Sequence, residues 1–310
     1  MKVFLAGASG TLGRSLVPRL VAAGHEVTWM TRSAERAEAI RGAGASAVVC
    51  DALDAAAVSA AIADASPEVV IAQLTALPEE YDPRTIDYGP TNRLRIEGGR
   101  NLISAARAAG TRRYITQSIA FLYASEGAWV KDEGARPFTE APEPFGTGVQ
   151  ATLRSEQEAI EAEGLEGLVL RYGQFYGPGT YYGEDGNIAE RVRKRRFPIV
   201  GRGSAVSSFI HIDDAADATV AGVERGAPGI YNVVDDDPAP MRDWLPVYAR
   251  ALGAKRPLRV PKWLARMVAG SFTTVLATEL RGASNEKAKR ELDWTPAHPS
   301  WRDGFRELSR

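Results

Sequence analysis

Three glycines near the start of the chain are spaced in a way that suits phosphate binding. The apolar run KVFLA leads directly into GASGTLG, where Gly7, Gly10 and Gly13 follow a GxxGxxG spacing at the opening of a helical segment. Glycine permits a tight turn and close approach of the backbone to a diphosphate, and the helix N-terminus offers N–H groups with a partial positive charge. An ordinary glycine turn is the alternative. We predict a dinucleotide-binding loop made of Gly7, Ser9, Gly10, Thr11, Leu12 and Gly13.

The end of the second apolar run, EVTWM, bears on which dinucleotide is bound. An acidic residue there binds the ribose 2′-hydroxyl of NAD, whereas an arginine accommodates the 2′-phosphate of NADP. The run is followed by Arg32, which favours NADP(H), with NAD(H) as the second choice and an ordinary surface arginine as the alternative. Asp51 follows the third run, VVC, and is placed to receive the adenine amino group. Its alternative role is a cap on the helix that starts near Ala55.

Residues 145–160 matter for what they lack. They read FGTGVQATLRSEQEAI and contain no tyrosine, lysine, histidine, aspartate or cysteine. We expect a helix here, and any proton chemistry on it must rely on unusual groups. Arg154 can hold a ribose or an oxyanion, because it is permanently charged, but it cannot donate a proton at neutral pH. Its alternative is a solvated position paired with Glu158 four residues later.

The scaffold for these residues follows from the alternation of apolar and Ala-rich runs along the first two-thirds of the chain. The apolar runs are continuous, as expected when helices cover both faces of a parallel sheet. They are KVFLAG, EVTWMTR, SAVVCDA, EVVIAQL, RRYITQS and GLVLRYG. The pattern predicts an α/β fold with a doubly wound parallel sheet, a Rossmann core over residues 1–176. A smaller, mixed α/β C-terminal substrate lobe is predicted over residues 177–310, with returns to the core around 205–235.

Composition excludes several classes of protein. The chain has 310 residues with 45% hydrophobic and 25% charged residues, which is ordinary for a globular protein with an ample core. Its net charge of −1 gives no reason to expect a nucleic-acid or membrane partner. No apolar stretch reaches the roughly 18–20 residues that a bilayer requires. The single cysteine, Cys50, excludes an internal disulfide framework and favours the cytoplasm.

Taken together, these motifs resemble the extended short-chain dehydrogenase/reductase superfamily, also described as NAD-dependent epimerases/dehydratases. GASGTLG is similar to its cofactor loop, GGRNLISAARAAGTRRYITQS to the helix and strand that carry its active-site serine or threonine, and LRYGQFYGPGT to the strand and loop over the nicotinamide. FIHIDDAADAT, GIYNVVDDD and NEKAKRELDWTPAHPSWRDGF resemble its C-terminal lobe. The resemblance implies further cofactor contacts at Ala52, Gln73, Leu74, Thr75, Tyr172, Gly173 and Phe175.

The family places a catalytic tyrosine, with a lysine four residues later, on the helix before LRYG. Matching Glu158 to the family's glutamate puts Gln150 at the tyrosine position and Arg154 at the lysine position. Shifting this register by one or two residues yields neither tyrosine nor lysine. The family's serine position matches Ser118, with Ile119 as the competing register. The chain therefore resembles the atypical members, which keep the cofactor loop and lose the dyad.

Replacement donors must come from other walls of the pocket. Tyr123 lies five residues after Ser118, and further tyrosines follow the run GLVLR. For Ser118 a capped strand end is the alternative role, and for the tyrosines nearest the strand it is packing. The candidate catalytic residues are Ser118, Tyr123, Gln150 and Arg154. No metal site is predicted, because no cluster of histidines, cysteines and carboxylates has ligand spacing.

Two functional hypotheses follow. The first is an NADP(H)-dependent oxidoreductase or epimerase/dehydratase-type enzyme that acts on a small carbonyl or hydroxyl substrate without the usual dyad. The second is a non-catalytic NADP(H)-binding sensor or scaffold, which the missing tyrosine favours. The resemblance also implies a homodimer built from the helices near residues 93–109 and 149–163.

Overall fold

The protein is described by a computed structural model that covers residues 1–7, 9–41, 46–78, 80, 82 and 85–308. Ala8, inside the predicted phosphate loop, lies outside the described residues.

Strands and helices alternate over the N-terminal half, as the sequence predicts. The strands are β1 (Lys2–Ala6), β2 (Glu26–Thr31), β3 (Ser46–Val49), β4 (Val69–Ala72), β5 (Arg113–Ile119), β6 (Val130–Lys131), β7 (Glu166–Tyr172), β8 (Gln174–Tyr176), β9 (Ile199–Val200), β10 (Val206–Ser207), β11 (Phe209–His211), β12 (Gly229–Val233), β13 (Ala239–Pro240), β14 (Arg259–Val260) and β15 (Gly282–Ala283). The α-helices are α1 (Thr11–Ala22), α2 (Ala34–Arg41), α3 (Ala55–Ala65), α4 (Gly89–Arg93), α5 (Gly99–Ala108), α6 (Phe145–Ile160), α7 (Asn187–Arg193), α8 (Ile212–Glu224), α9 (Met241–Ala251), α10 (Lys262–Glu279), α11 (Glu286–Glu291) and α12 (Trp301–Glu307). A π-helical turn, Leu94–Gly98, joins α4 to α5.

Within the described residues, seven strands form one sheet in the order β12-β7-β5-β4-β1-β2-β3, and every pair in it is parallel. The strands are apolar on both faces because helices cover both. Leu5 and Ile71 pack on the face that α1 and α8 cover, and Phe4 and Val70 pack on the face of α3 and α5. The fold is the predicted doubly wound α/β fold.

The chain reverses its direction of winding between β1 and β4. From β1 it proceeds outward through β2 and β3, and then returns to add β4, β5, β7 and β12 on the other side. In open parallel sheets, ligands bind at such a switch point, outside the carboxyl ends of the strands. The sheet therefore creates a crevice at the ends of β1 and β4.

A second core lies in the C-terminal part of the chain. Trp244, Phe209 and Trp301 are among its largest buried members, and α9 and α12 pack against each other there. The segment around residues 205–235 returns to the main sheet, because α8 packs on α1 and β12 pairs with β7. The division into domains at residue 176 stays a prediction. None of the helices in the described ranges combines the length and the apolar character that a membrane span requires.

Candidate functional site

The predicted cofactor residues meet at one edge of the main sheet. Gly7 follows β1, Arg32 follows β2, Asp51 follows β3 and Gln73 follows β4. Since these four strands are parallel neighbours, their carboxyl ends open onto the same crevice.

The phosphate loop has a backbone that only glycine fits. Gly7 has a φ of 88°, and a Cβ added there would lie 2.2 Å from the carbonyl oxygen of Gln73. The Gly10 amide donates to the Gly7 carbonyl oxygen at 3.1 Å, and α1 starts at the next residue. Among the described residues, no side chain caps the N-terminus of α1. The first-turn amides are thus left for an anion, as phosphate binding requires.

The wall between β4 and β7 is built around Gln73. Its Nε2 donates to the Tyr172 hydroxyl at 3.1 Å, and that hydroxyl lies 2.8 Å from Oγ1 of Thr219. The Oε1 of Gln73 is buried and has no hydrogen-bond partner among the described residues. The ring of Phe175 lies 5.4 Å from that of Tyr172, while Gly173 packs so closely that a Cβ would lie 2.7 Å from the Ser208 carbonyl oxygen. Leu74 is buried and Thr75 is exposed.

The adenosine end of the crevice has one cation and one carboxylate. Arg32 is exposed and forms no ion pair or hydrogen bond with the residues that the structure describes. Asp51 is also exposed, and its Oδ1 accepts from the Leu53 amide at 3.0 Å. The cap of α3 is Asp54 instead, which accepts from two first-turn amides, so the alternative role considered for Asp51 is wrong. Ala52 is buried beside it.

These features fit a nicotinamide dinucleotide. The uncapped start of α1 and the glycine at a φ of 88° suit a diphosphate. Within the described part of the chain, the buried Oε1 of Gln73 is an acceptor without a donor, and Arg32 is a cation without an anion. Each of these groups gains a hydrogen bond or a counter-charge from such a ligand.

The helix that should face the nicotinamide is α6, and its register differs from the sequence-based expectation. Gln150 and Arg154 lie on the exposed face, where Nε of Arg154 is 3.1 Å from Oε1 of Glu158. The buried face carries Gly148, Thr152 and Glu156 instead. This placement contradicts the expectation that Gln150 and Arg154 face the cofactor, and it follows from helical periodicity because Glu156 is the buried glutamate.

Glu156 belongs to a buried ion pair. Its two carboxylate oxygens accept from Nε and Nη2 of Arg171 at 2.8 and 2.6 Å, and the side chains of Arg171 and Glu156 are only 3% and 5% exposed. The Ser118 hydroxyl donates to the same carboxylate. Burial alone would lower the pKa of Arg171, but the hydrogen bonds and charge of Glu156 raise it above its usual value. The pair joins α6 to β7 and β5.

The two predicted catalytic hydroxyls both point into this buried network. Besides the Ser118 bond, the Tyr123 hydroxyl donates to Oδ1 of Asn232 at 2.6 Å and accepts from Nη1 of Arg171 at 3.0 Å. Ser118 and Tyr123 are 3% and 1% exposed, and burial raises the pKa of the Tyr123 phenol. In this structure neither hydroxyl is open to a substrate, contrary to the expectation that they orient a substrate oxygen.

Sequence reasoning missed Glu156 and Arg171. The signal was an arginine inside the otherwise apolar run GLVLRYG, since a charge in a strand buried on both faces needs a buried counter-charge. Tyr181, in the glycine-rich loop after β8, donates to the carbonyl oxygen of Pro78, which follows β4 along the chain.

Known proteins share both the sequence pattern and the fold. The sequence model of the "NAD dependent epimerase/dehydratase family" matches residues 3–233. A 3-diazoavenalumate denitrifying reductase from Streptomyces sp is 48% identical over 309 residues, which cover 98% of this chain and 99% of the relative. A 2-alkyl-3-oxoalkanoate reductase from Stenotrophomonas maltophilia (strain K279a) is 29% identical, over 83% of this chain and 77% of the relative.

Solved structures of similar fold include two UDP-glucose 4-epimerases. The enzyme from Thermotoga maritima, with UDP-glucose, has a TM-score of 0.75 and 20% identity, covering 100% of this chain and 97% of the other. The enzyme from Thermus thermophilus, a complex with NAD, has a TM-score of 0.75 and 22% identity, covering 100% and 98%. At these identities the likeness concerns the fold.

Proposed function

Since the chain belongs to the NAD-dependent epimerase/dehydratase family and is an enzyme of the short-chain dehydrogenase/reductase superfamily, we propose that it is an NAD(P)H-dependent reductase of an aryldiazonium compound, which loses its nitrogen as N₂. The observation that carries this proposal is the buried face of α6. Gly148 has no side chain there, and the Thr152 hydroxyl already donates to the Gly148 carbonyl oxygen at 2.8 Å. The 48% identical relative, named as a denitrifying reductase of a diazo compound, supports the same chemistry.

The choice of substrate class rests on proton balance. Reduction of a ketone requires a hydride at carbon and a proton at oxygen, so a positioned acid assists it. A diazonium group, R–N₂⁺, accepts one hydride, its C–N bond breaks, and R–H and N₂ are formed. No proton enters that balance. Because the Glu156 carboxylate on α6 is held in its ion pair with Arg171, this helix offers no free proton donor, and the site is better suited to the second reaction than to the first.

The protein's own groups would bind and orient the reductant. Bound NAD(P)H supplies the hydride from its nicotinamide. The amides at the start of α1 would hold the diphosphate, Arg32 would bind a 2′-phosphate, and Asp51 would accept from the adenine amino group. Gln73 and Tyr172 form a buried wall of the crevice. On this basis we propose NADP(H) as the preferred cofactor, with NAD(H) as the second choice.

The test is a stoichiometric assay. The protein is incubated with NADPH and an aryldiazonium carboxylate labelled with ¹⁵N, and ¹⁵N₂ is measured by mass spectrometry while nicotinamide absorbance is followed. We expect one N₂ for each NADPH oxidised, with deuterium entering the product from 4-deuterated cofactor and not from D₂O. Protein-dependent NADPH oxidation without release of N₂, or no oxidation, would overturn the proposal.

A small carbonyl or hydroxyl compound is the second candidate substrate. The more distant relative named as an oxoalkanoate reductase favours it. The same assay with a matched aryl ketone separates the two candidates, because a ketone reductase oxidises NADPH with the ketone and incorporates a solvent proton at oxygen. The reductase relative at 48% identity argues against a non-catalytic sensor.

Two further expectations remain proposals. A homodimer formed through α5 and α6 is proposed from the resemblance to the family alone. Light scattering of the purified protein would give twice the chain mass.

A cytoplasmic location is proposed from the single cysteine, Cys50, which is buried and free. Fluorescent tagging followed by cell fractionation tests it.

A further inference from the structure

Arg95 is a charged residue whose guanidinium has no partner among the described residues. It lies in the π-helical turn Leu94–Gly98 between α4 and α5. Its Nε is fully buried and finds no acceptor, and no carboxylate within the described part of the chain forms an ion pair with it. Burial lowers the pKa of Arg95 to about 10, so the side chain is still a cation at neutral pH. Single-turn π-helical segments are frequent at functional sites.

The surroundings of Arg95 place it beside the crevice. The π-helical turn packs against α6, and the negative charge of Glu156, on that helix, raises the pKa of Arg95 against the effect of burial. Glu156 is already bound by Arg171 and Ser118. Glu156 lies on the buried face of α6, the same face that lacks the expected acid. Arg95 therefore approaches the side of α6 where chemistry is expected.

The ring of Tyr88 also packs against the buried face of α6. A Cβ added to Gly148 would lie 3.9 Å from the Tyr88 ring, so this ring, from the start of α4, packs over the part of α6 that has no side chain. The face that carries Tyr88 and Arg95 includes a second buried polar group with no partner in the described ranges, Oδ1 of Asn92. A donor and an acceptor are thus both unsatisfied three residues apart, on the side that faces α6.

Arg95 is half-buried, and a cation whose Nε is buried without an acceptor is costly unless an anion compensates it. Since Glu156 is saturated by other donors, that anion has to come from outside the chain. We propose that Arg95 is the anion receptor of the crevice, where its guanidinium binds an oxyanion of a bound ligand. The oxyanion belongs either to the diphosphate of the cofactor or to the carboxylate of the substrate. The inference rests on the proposed function only in taking this crevice as the active site.

The receptor is tested with Arg95→Met, which keeps much of the side-chain volume and removes the charge. Its matched control is Arg93→Met, two residues away, exposed and paired with Glu97. Two binding measurements separate the sources of the anion. One is titration with NADPH, followed by its fluorescence. The other is titration of the NADP⁺-loaded protein with cinnamate and with cinnamide, which lacks the charge.

We expect Arg95→Met to lose about 10- to 100-fold in affinity in one of the two titrations, as for a hydrogen bond to a charged group. A loss for NADPH assigns the anion to the cofactor. A loss for cinnamate, with none for cinnamide, assigns it to the substrate. Arg93→Met should bind like the parent in both titrations.

A stability measurement distinguishes a receptor from a structural residue. Without ligand, the melting temperature of Arg95→Met should equal or exceed that of the parent, because a half-buried cation with an unsatisfied Nε has been removed. The shift in melting temperature that the ligand produces should shrink. Unchanged affinity in both titrations, or a lowered ligand-free melting temperature with normal affinities, would overturn the proposal. These readouts need no turnover, so a failure of diazo reduction leaves them interpretable.

Discussion

Nη2 of Arg171 lies 2.6 Å from Oε2 of Glu156, in a pair that is almost completely buried. The pair fixes α6 against β7, and the Ser118 hydroxyl adds a bond from β5. The position of α6 over the sheet is therefore set by a charge pair beneath it. That pair also determines which residues of α6 face the crevice and which face outward.

Replacing Glu156 by glutamine is expected to destabilise the protein strongly. The substitution leaves the buried Arg171 cation without a counter-charge, and breaking a buried pair in this way costs about 3–5 kcal/mol. Urea unfolding of Glu156→Gln and of the parent measures the difference in free energy of unfolding.

The matched control for this change is Glu158→Gln, two residues further along the same helix. Glu158 pairs with Arg100 and Arg154, which are 45% and 56% exposed, so the loss should be about 1 kcal/mol or less. Equal losses in the two variants would show that the Glu156 pair does not fix the helix.

The sequence alone does not determine which face of α6 is buried. The sequence of residues 145–160 is enough to predict a helix, and it shows that this helix contains neither tyrosine nor lysine. The sequence offers Glu156 and Glu158 as two candidates for one buried position, and only the tertiary partner separates them. Arg171 sits in β7, fifteen residues from Glu156, and reaches it through the packing of α6 on the sheet. Local patterns do not contain that contact.

The crevice that we propose for the cofactor has a shape that the sequence predicts more readily, because its geometry is mostly local. A strand, a glycine turn and a helix start follow one another within the first residues of the chain, and parallel strands bring their ends together whatever their side chains are. Arg95 was not found, since it lies in a helical stretch of ordinary composition. Its missing partner is visible only once the neighbouring elements are in place.

The exposed face of α6 should be dispensable for the chemistry. Gln150→Ala and Arg154→Ala each remove a solvated side chain on the face away from the sheet, so kcat/KM should stay within about twofold of the parent, a difference of about 0.4 kcal/mol. Steady-state kinetics with NADPH and the accepted substrate measure this. A tenfold or larger loss of kcat/KM in either variant would show that the residue acts in the active site or in a dimer contact that supports it.

Gly7→Ala is expected to abolish tight cofactor binding. Both the positive φ and the 2.2 Å approach to the Gln73 carbonyl oxygen oppose a Cβ at this position. The control is Gly24→Ala, where φ is 81° but, apart from its chain neighbours, no heavy atom of the described residues lies within 4 Å of the added Cβ. Each variant should lose about 1–2 kcal/mol of stability to the left-handed backbone, and Gly7→Ala should lose more than Gly24→Ala because its Cβ meets the backbone of Gln73. Only Gly7→Ala should also lose NADPH affinity, by about tenfold or more, as measured by fluorescence titration. Equal NADPH affinities in the two variants would show that this loop does not bind the cofactor.

Arg32→Ala tests the preference for NADP(H). The side chain is exposed, and no partner within the described residues has to be given up when a 2′-phosphate binds. A charge-assisted contact of this kind contributes about 1.5–3 kcal/mol, so the Kd for NADPH should rise about 10- to 100-fold, while the Kd for NADH, which lacks the phosphate, should change little. Arg107→Ala, an exposed arginine on α5, serves as the control for general charge effects and should alter neither Kd. If the parent binds both cofactors equally, or if Arg32→Ala weakens both to the same degree, Arg32 does not select the phosphate.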